Sequence, residues 1–283
     1  MKNFILLLLL IISANALQAQ QENQYTQFMY NKLLINPGYA GARGIPTGTI
    51  IYRNQWKGFE GAPKSVLASF NTPLFSKRIG VGLTLAQQKI GIEQDFSATA
   101  SYSYKLVTSE ALTVQAGISG SLRSLVLNFD KAKAISSGDP SLNQQKTSDF
   151  YGNFGVGVYA VLHNRFYAGL SVPNLYANTI GFNENPLVPT ALQSRHFYGM
   201  LGAALPLTED VKLMPALLLK YVKNVPVSAD INVNIDIREK IRTGVSYRTG
   251  GNGPGDSVDL LLFWQITPGA GVGAAYDFTI SGL

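Results

Sequence analysis

The sequence contains no cysteine, little charge and, beyond its first residues, no long hydrophobic run. Without cysteine, the chain can form neither a disulfide framework nor a lipid anchor on an N-terminal cysteine. Charged residues make up 14% of the chain, well below the usual quarter. A membrane-spanning helix needs about 20 consecutive apolar residues, and no such run follows the N-terminal region, so the inner membrane is not the expected destination.

The net charge is +6, but the basic residues are scattered. No basic run and no nucleic-acid motif accompanies them, so a nucleic-acid partner is not expected. Residues 1–19 have the pattern of a secretory signal peptide, with Lys2 before an apolar stretch and the small residue Ala19 at its end. The apolar stretch is too short for a membrane-spanning helix.

Strict alternation of apolar and polar residues is the strongest pattern in the chain. Between Phe96 and Leu106 every second residue is apolar and every residue between them is polar, and 112–123 and 227–238 repeat the pattern. Successive side chains of a strand point to opposite faces, so these segments predict strands with one oily and one hydrated face. Repeated two-faced strands of about ten residues are typical of a membrane-spanning β-barrel.

Turn-forming residues divide the chain into strands with connections of two kinds. Short turns near residues 75–77, 108–110 and 163–164 alternate with generally longer loops, which include 89–95, 125–150 and 174–194. That alternation is typical of outer-membrane barrels with tight periplasmic turns and longer outer loops. The predicted strands lie near 47–55, 65–73, 78–88, 96–107, 111–124, 151–163, 165–173, 195–207, 211–223, 226–237, 240–249, 256–267 and 270–280.

Thirteen strands cannot close a bacterial barrel whose two termini lie on the same side, because such barrels have an even number. Either one strand is miscounted or the chain lacks its final strand, and the loop-like Ser281-Gly282-Leu283 favours the second interpretation. Each unpaired backbone group at the resulting edge would cost several kcal/mol in the hydrocarbon core of the membrane.

A segment before the first strand has no strand pattern. Met29 and Leu33 have helical spacing, and Asn36-Pro37 would end a helix there, so the segment is predicted to be a short amphipathic plug at the periplasmic mouth.

This segment resembles the opening of the PorP/SprF family of Bacteroidota, in which Q-Y-x-x-F/Y-M-x-N precedes N-P-x-Y-A-G. Residues 52–56, Ala62-Pro63 and 275–277 are also similar to the family. The matching positions in the opening are Gln24, Tyr25, Met29, Asn31, Asn36, Pro37, Tyr39, Ala40 and Gly41.

The resemblance implies an all-β, transmembrane, up-and-down antiparallel barrel of about 14 strands, associated with the type IX secretion system and in some members with gliding motility. Residues 1–19 would be the signal peptide, 20–45 the N-terminal periplasmic segment and 46–283 the barrel. The expected partners are outer-membrane lipids, other secretion components and a large adhesin with a type IX C-terminal domain. The family pattern continues into a final strand that this sequence lacks.

Charged residues alternate on the polar face of the strand near 226–237 and on the strand that follows. Asp230, Asp236, Arg238 and Arg242 would face the lumen. They could form a selectivity stripe, but mutual neutralisation is the favoured interpretation, because unpaired charge in a narrow barrel is costly.

No residue pattern indicates catalysis, a cofactor or a metal. The chain has two histidines, His163 and His196, far apart in sequence, whereas a zinc site needs three or four clustered ligands. Paired glycines such as Gly80/Gly82 and Gly155/Gly157 fall at alternate strand positions, where small residues ease curvature, and no helix follows them as a nucleotide site requires.

Two functions therefore remain for the sequence. The first is a non-enzymatic secretion component of a Gram-negative outer membrane that anchors or docks exported adhesins or periplasmic ring partners. The second is a solute channel, although a barrel of about fourteen strands does not imply a wide opening.

Overall fold

The computed structural model describes residues 27–74, 77–129, 132, 146–180, 191–249 and 256–280. The signal peptide predicted at 1–19, together with Gln24 and Tyr25, lies outside this part of the chain. Among the described residues, no helix has the length and apolarity required to cross a membrane.

The described chain is built almost entirely from strands that follow three single 3₁₀ turns. The turns are Phe28–Tyr30, Lys32–Leu34 and Pro37–Tyr39. The strands are β1 Thr47–Asn54, β2 Lys64–Leu74, β3 Ile79–Ile90, β4 Glu93–Thr108, β5 Leu112–Asn128, β6 Lys146–Leu162, β7 Phe166–Val172, β8 Thr179–Ile180, β9 Ala191–Leu192, β10 His196–Ala203, β11 Leu205–Pro206, β12 Val211–Val222, β13 Ser228–Ile237, β14 Ile241–Thr249, β15 Ser257–Thr267 and β16 Ala270–Thr279.

One antiparallel sheet of 14 strands contains all of these except β8 and β9, which pair with each other. The order is β1-β2-β3-β4-β5-β6-β7-β10-β12-β13-β14-β15-β16, with β11 pairing beside β10 on β12. The predicted all-β, up-and-down antiparallel architecture is confirmed. The strand predicted at 195–207 is divided into β10 and β11 at Ala204, whose N–H donates to the carbonyl of Arg165.

The sheet is inside-out compared with that of a water-soluble protein. Along β13 the polar residues Asp230, Asn232, Asn234 and Asp236 are buried, whereas the apolar residues between them are exposed. Because alternate side chains face opposite sides of the sheet, one side presents oily groups outward and the other packs polar groups inward. This distribution suits a barrel wall with lipid outside and a hydrated lumen inside.

The apolar outer face ends before β4, β5 and β6 do. Its outward residues on β4 are apolar from Phe96 to Leu106, but Gln94 is polar; on β5 they are apolar or small from Leu112 to Leu122, followed by Ser124. A tilted strand spans the membrane with about 9–11 residues, whereas these strands contain 16, 17 and 17 residues. The surplus lies at the loop end of the barrel.

The predicted loop lengths are wrong at that end. Residues 89–95 were expected to form a long loop, but β3 and β4 continue until only Gly91 and Ile92 separate them, with Gly91 at φ +55°. Strands also extend into both ends of the loop predicted at 125–150, because β5 continues to Asn128 and β6 begins at Lys146. These ends escape a lipid-based pattern because the alternation stops there: Glu93, Gln94 and Asp95 are polar on both faces of β4, whereas Leu125, Val126 and Leu127 are apolar on both faces of β5.

The first and last strands of the sheet run in the same direction, and no backbone ladder joins them within the described residues. Their side chains nevertheless meet, because Arg53 on β1 donates from Nη2 to Oδ2 of Asp277 on β16 over 3.1 Å. The sheet therefore curls until its two edges face each other, but its described ladders do not close the ring.

Placing a charge on the oily face should destabilise the protein far more than placing one in the lumen. We expect Ile118→Arg, near the middle of the apolar band of β5, to lower the free energy of unfolding by about 2–4 kcal/mol. Urea titration of the barrel refolded into neutral lipid vesicles measures this. Ser121→Arg on the same strand lines the lumen and should cost less than about 1 kcal/mol; equal losses would contradict the assignment of the two faces.

Candidate functional site: the N-terminal segment inside the lumen

Residues 27–42, here called the plug, lie inside the barrel and not across its rim. Phe28, Leu33, Ile35 and Tyr39 of the plug form an apolar cluster with Tyr159, Met200 and Leu218 of the wall. The helix expected from the spacing of Met29 and Leu33 is wrong, because Asn31 and Asn36 adopt extended φ values of −135° and −134° and divide the segment into separate 3₁₀ turns.

Asn36 fastens the plug to the wall. Its side chain is 0% exposed. Nδ2 donates to the carbonyls of Val158 (2.9 Å) and Leu170 (3.3 Å), which are paired on β6 and β7, and Oδ1 accepts the N–H of Gly38 (2.8 Å). A buried amide is stable only when its polar atoms have partners, and Pro37 at the first position of the following turn presets the backbone for it.

Glycines in the wall make room for this contact. A Cβ at Gly157 would lie 2.2 Å from Oδ1 of Asn36, and one at Gly117 would lie 2.4 Å from the backbone N of Gly38. At Gly80 a Cβ would lie 2.0 Å from the carbonyl oxygen of Ala40. Close approach of the plug therefore accounts for Gly80, Gly117 and Gly157 better than the curvature expected from the sequence.

The remaining motif residues are held by polar groups of the lumen wall. Ser103 donates from Oγ to the carbonyl of Ala40 (2.7 Å), and Gly41, at φ +65°, donates from its N–H to Oδ1 of Asn71 (3.1 Å). Asn31 accepts from Ser69 Oγ at 3.0 Å. Met29 packs, partly buried, against the apolar cluster. Of the sequence-predicted motif, the structure thus brings Met29, Asn31, Asn36, Pro37, Tyr39, Ala40 and Gly41 together.

Lys32 carries a positive charge into the interior. Its Nζ lies 4.0 Å from the ring centroid of Tyr167 and 5.6 Å from that of Tyr39. Burial lowers the pKa of Lys32 to about 8, and the nearby positive charges of Arg43 and Arg242 act in the same direction. The two aromatic faces stabilise the cation where water cannot.

Three of the four charges predicted to face the lumen do so, and each of the three belongs to an ion pair. Asp230 is bound by Lys220 Nζ and Arg248 Nε, each at 2.7 Å, and Asp236 Oδ2 lies 2.6 Å from Arg242 Nη2. Lys220, which the sequence analysis did not select, stands on the inner face of β12 two positions beyond the buried Leu218. Its separation of two residues from Leu218, which places both side chains on the same face of β12, was the available signal that Lys220 faces the lumen.

Arg238 does not face the lumen, which corrects the prediction. It lies in the turn between β13 and β14 with φ +52°, and Glu239 follows at φ +55°. These are the positive φ values of a tight hairpin turn, in which strand alternation no longer applies. The exposed Arg238 pairs with Asp210 across 3.2 Å.

Above the plug, the lumen contains a cavity of about 180 Å³. Phe28, Leu33 and Ile35 contribute an apolar floor. The lining of the wall is mostly polar and includes Ser97, Thr99, Ser101, Ser119, Ser121 and the buried His196. The other histidine, His163, lies in the turn after β6, and within the described ranges no three acidic or histidine side chains form a group suited to a metal.

A sheet with an oily exterior, a polar interior and a plugged lumen defines a membrane protein of the β-barrel class. The family model described as "Type IX secretion system membrane protein PorP/SprF" matches residues 17–283, so the chain belongs to this family. No curated protein matches.

The solved structures similar to this chain are remote. A mutant porin of Rh. blastica shares 9% identity over 82% of this chain and 91% of its own, with a TM-score of 0.33. A second mutant of that porin shares 8% over 83% and 92%, with a TM-score of 0.34. The siderophore receptor PirA from Acinetobacter baumannii shares 13% over 79% of this chain and 41% of its own, with a TM-score of 0.26. At these scores the similarities carry no argument.

A methyl group added to the wall beneath the plug should displace it. We expect Gly117→Ala to reduce the free energy of unfolding by about 1–3 kcal/mol, because the new Cβ meets backbone atoms of Pro37 and Gly38. Limited proteolysis should then cut the plug faster. Gly120→Ala on the same strand meets nothing within 4 Å and serves as the control; equal sensitivity of the two variants would refute tight packing.

The depressed pKa of Lys32 predicts a pH-dependent stability. Because the folded state binds this proton less tightly than the unfolded state, the destabilisation is complete below pH 8 and disappears as pH rises towards the ordinary lysine pKa. Lys32→Met should therefore be more stable than the parent at pH 7, with a difference that shrinks by pH 10. Urea midpoints at both pH values test this, with the exposed Lys240→Met as control; a difference independent of pH would contradict it.

Proposed function

We propose that this chain is a non-enzymatic outer-membrane component of the type IX secretion system that docks exported surface proteins or periplasmic partners. The observation that carries the proposal is the plug, which fills the turn end of the lumen with the chain's own residues. Tyr39 and Ala40 are buried there, and Asn36 is fully enclosed. A barrel blocked in this way is better suited to holding partners than to passing solutes.

Both ends of the barrel offer surfaces for such docking. At the loop end, β4, β5 and β6 continue beyond the apolar band, and Arg123 there binds Asp95 through Nε at 2.8 Å, which stiffens the extension. At the turn end, Arg43, which directly follows the plug, is exposed to solvent. We assign the turn end to the periplasm, since tight turns lie on that side in outer-membrane barrels.

The partners in this proposal differ between the two ends. A large adhesin with a type IX C-terminal domain would contact the loop end, and other secretion components would contact the turn end. Outer-membrane lipids would cover the apolar band between them. The alternative, a solute channel, requires an open path past the plug.

Gene deletion tests the proposal. Loss of the chain should remove at least one large exported protein from the cell surface, measured by surface biotinylation and quantitative mass spectrometry, and leave uptake of small solutes unchanged. Complementation with the full chain should restore the display. If deletion leaves every exported protein in place, the proposal is wrong.

Conductance separates the two functions. The purified barrel in planar bilayers should give no stable single-channel steps, because the plug occupies the lumen. The Gly117→Ala variant, with the plug displaced, serves as the positive control for an opened path. Steady ion conductance by the unaltered chain would favour the solute channel.

A further inference from the structure

Four cations gather at the turn end of the barrel on the side of β2, β3 and β4. They are Arg43, Lys77, Arg78 and Lys105, here called the basic mouth patch. The N–H of Lys105 donates to the carbonyl of Arg78 over 2.9 Å, so these two residues are cross-strand neighbours. Lys77, in the same turn as Arg78, is close enough to repel Lys105, and Arg43 repels the buried Lys32.

None of these cations forms an ion pair within the part of the chain that the structure describes. Like charges placed opposite each other on neighbouring strands are destabilising. Residues 23–59 and 61–92 contain no aspartate or glutamate, so Arg43, Lys77 and Arg78 have no acid near them in sequence. Between residues 23 and 92, which include the plug and β1 to β3, Glu60 is therefore the sole acidic residue, and it lies in the loop at the other end. Lys105 has Glu110 in the next turn of the same end, but the two form no ion pair.

The opposite side of the same end behaves differently. There Lys212 pairs with Glu239, and Arg238 pairs with Asp210 at 3.2 Å. Two of the cations on that side are thus paired, with the exposed Lys240 beside them, whereas all four cations of the basic mouth patch lie together without a described ion pair. An acidic group from outside the chain would supply the counter-charge that the patch lacks.

The patch faces the mouth of the lumen rather than the surrounding lipid. Arg78 and Lys105 continue the wall positions of Gly80 and Ser103, and both of those positions face Ala40 of the plug. Arg43 follows the plug directly. Lipid phosphates lie around the outside of a barrel, whereas a protein segment can reach across its mouth.

We propose that the basic mouth patch binds an acidic segment of a protein partner seated across the turn end of the barrel. Complementary charge steers such a partner and fixes its orientation more than it sets the final affinity. The inference rests on the proposed function in one respect: the partner would be a secretion component on the periplasmic side.

A binding measurement with a defined acidic probe tests the patch directly. The full chain, reconstituted in nanodiscs of neutral lipid, is titrated with fluorescently labelled poly-glutamate at low and at physiological ionic strength. The parent should bind, more weakly as salt rises. Arg78→Glu/Lys105→Glu should weaken binding by about tenfold or more, as expected when charge pairs become like-charge pairs.

A matched variant controls for net charge. Arg238→Glu/Lys240→Glu makes the same change in charge at the same end, outside the patch, and should alter binding less than about threefold. Equal weakening by both double variants would overturn the proposal, as would absence of binding by the parent. If free anionic lipid vesicles displace poly-glutamate from the parent in neutral nanodiscs, the patch serves lipid headgroups and the proposal is wrong.

Cells distinguish this inference from the proposed function. The Arg78→Glu/Lys105→Glu chain should reduce surface display at normal barrel abundance, checked by heat-modifiable gel mobility. If it misfolds, Arg78→Gln/Lys105→Gln replaces it, with the same expectation. Full display by a folded patch variant, when gene deletion abolishes display, would overturn the patch and leave the proposed function standing.

Discussion

The structure depends on the contact between Asn36 and the glycine-lined wall. A barrel of this size has an interior of polar side chains that needs either water or protein to satisfy it. The plug supplies protein: the side-chain amide of Asn36 donates to carbonyls of β6 and β7. Ser103 and Asn71 then bind the backbone of Ala40 and Gly41, where the plug ends. Because wall glycines let backbone approach backbone, these hydrogen bonds form deep in the lumen, where their loss would leave buried polar groups without partners.

Beside the plug, the lumen wall contains ion pairs between buried side chains. Asp230 lies between Lys220 and Arg248, and Asp236 pairs with Arg242 on the next strand. Removing one member of such a buried set would leave an uncompensated charge, which costs more than the pair itself contributes. The ion pair between Arg53 and Asp277 extends this pattern across the two edges of the sheet, where no backbone ladder holds β1 to β16 in the described residues. An ion pair between side chains thus joins the two edges of the sheet, which no described backbone ladder joins.

Strand pairing was predictable from sequence because lipid imposes a simple rule on each strand. Alternation from Phe96 to Leu106 follows from an oily outer face, and it gave the strand order correctly. The same rule fails where the alternation stops: Gln94 is polar and outward on β4, and Leu125-Val126-Leu127 is apolar on both faces of β5, so these extensions were assigned to loops. It fails again at Arg238, where two residues of positive φ interrupt the alternation. The plug was mistaken for a helix, because its apolar spacing reflects contact with a curved wall and not a helical face.

The exposed cations at the mouth contrast with the ion pairs that Asp230 and Asp236 form inside the lumen. A chain that pairs Asp230 twice and encloses Asn36 completely does not lack the means to neutralise charge. Arg78 and Lys105 nevertheless stand opposite each other without an acid, on the inner face that continues from Gly80 and Ser103. Like charges placed opposite each other lower stability, and negative charge that approaches from the side of the plug would relieve this cost. Stability of the mouth and recognition at the mouth are therefore coupled, because binding of an acidic partner removes a cost that the free barrel carries.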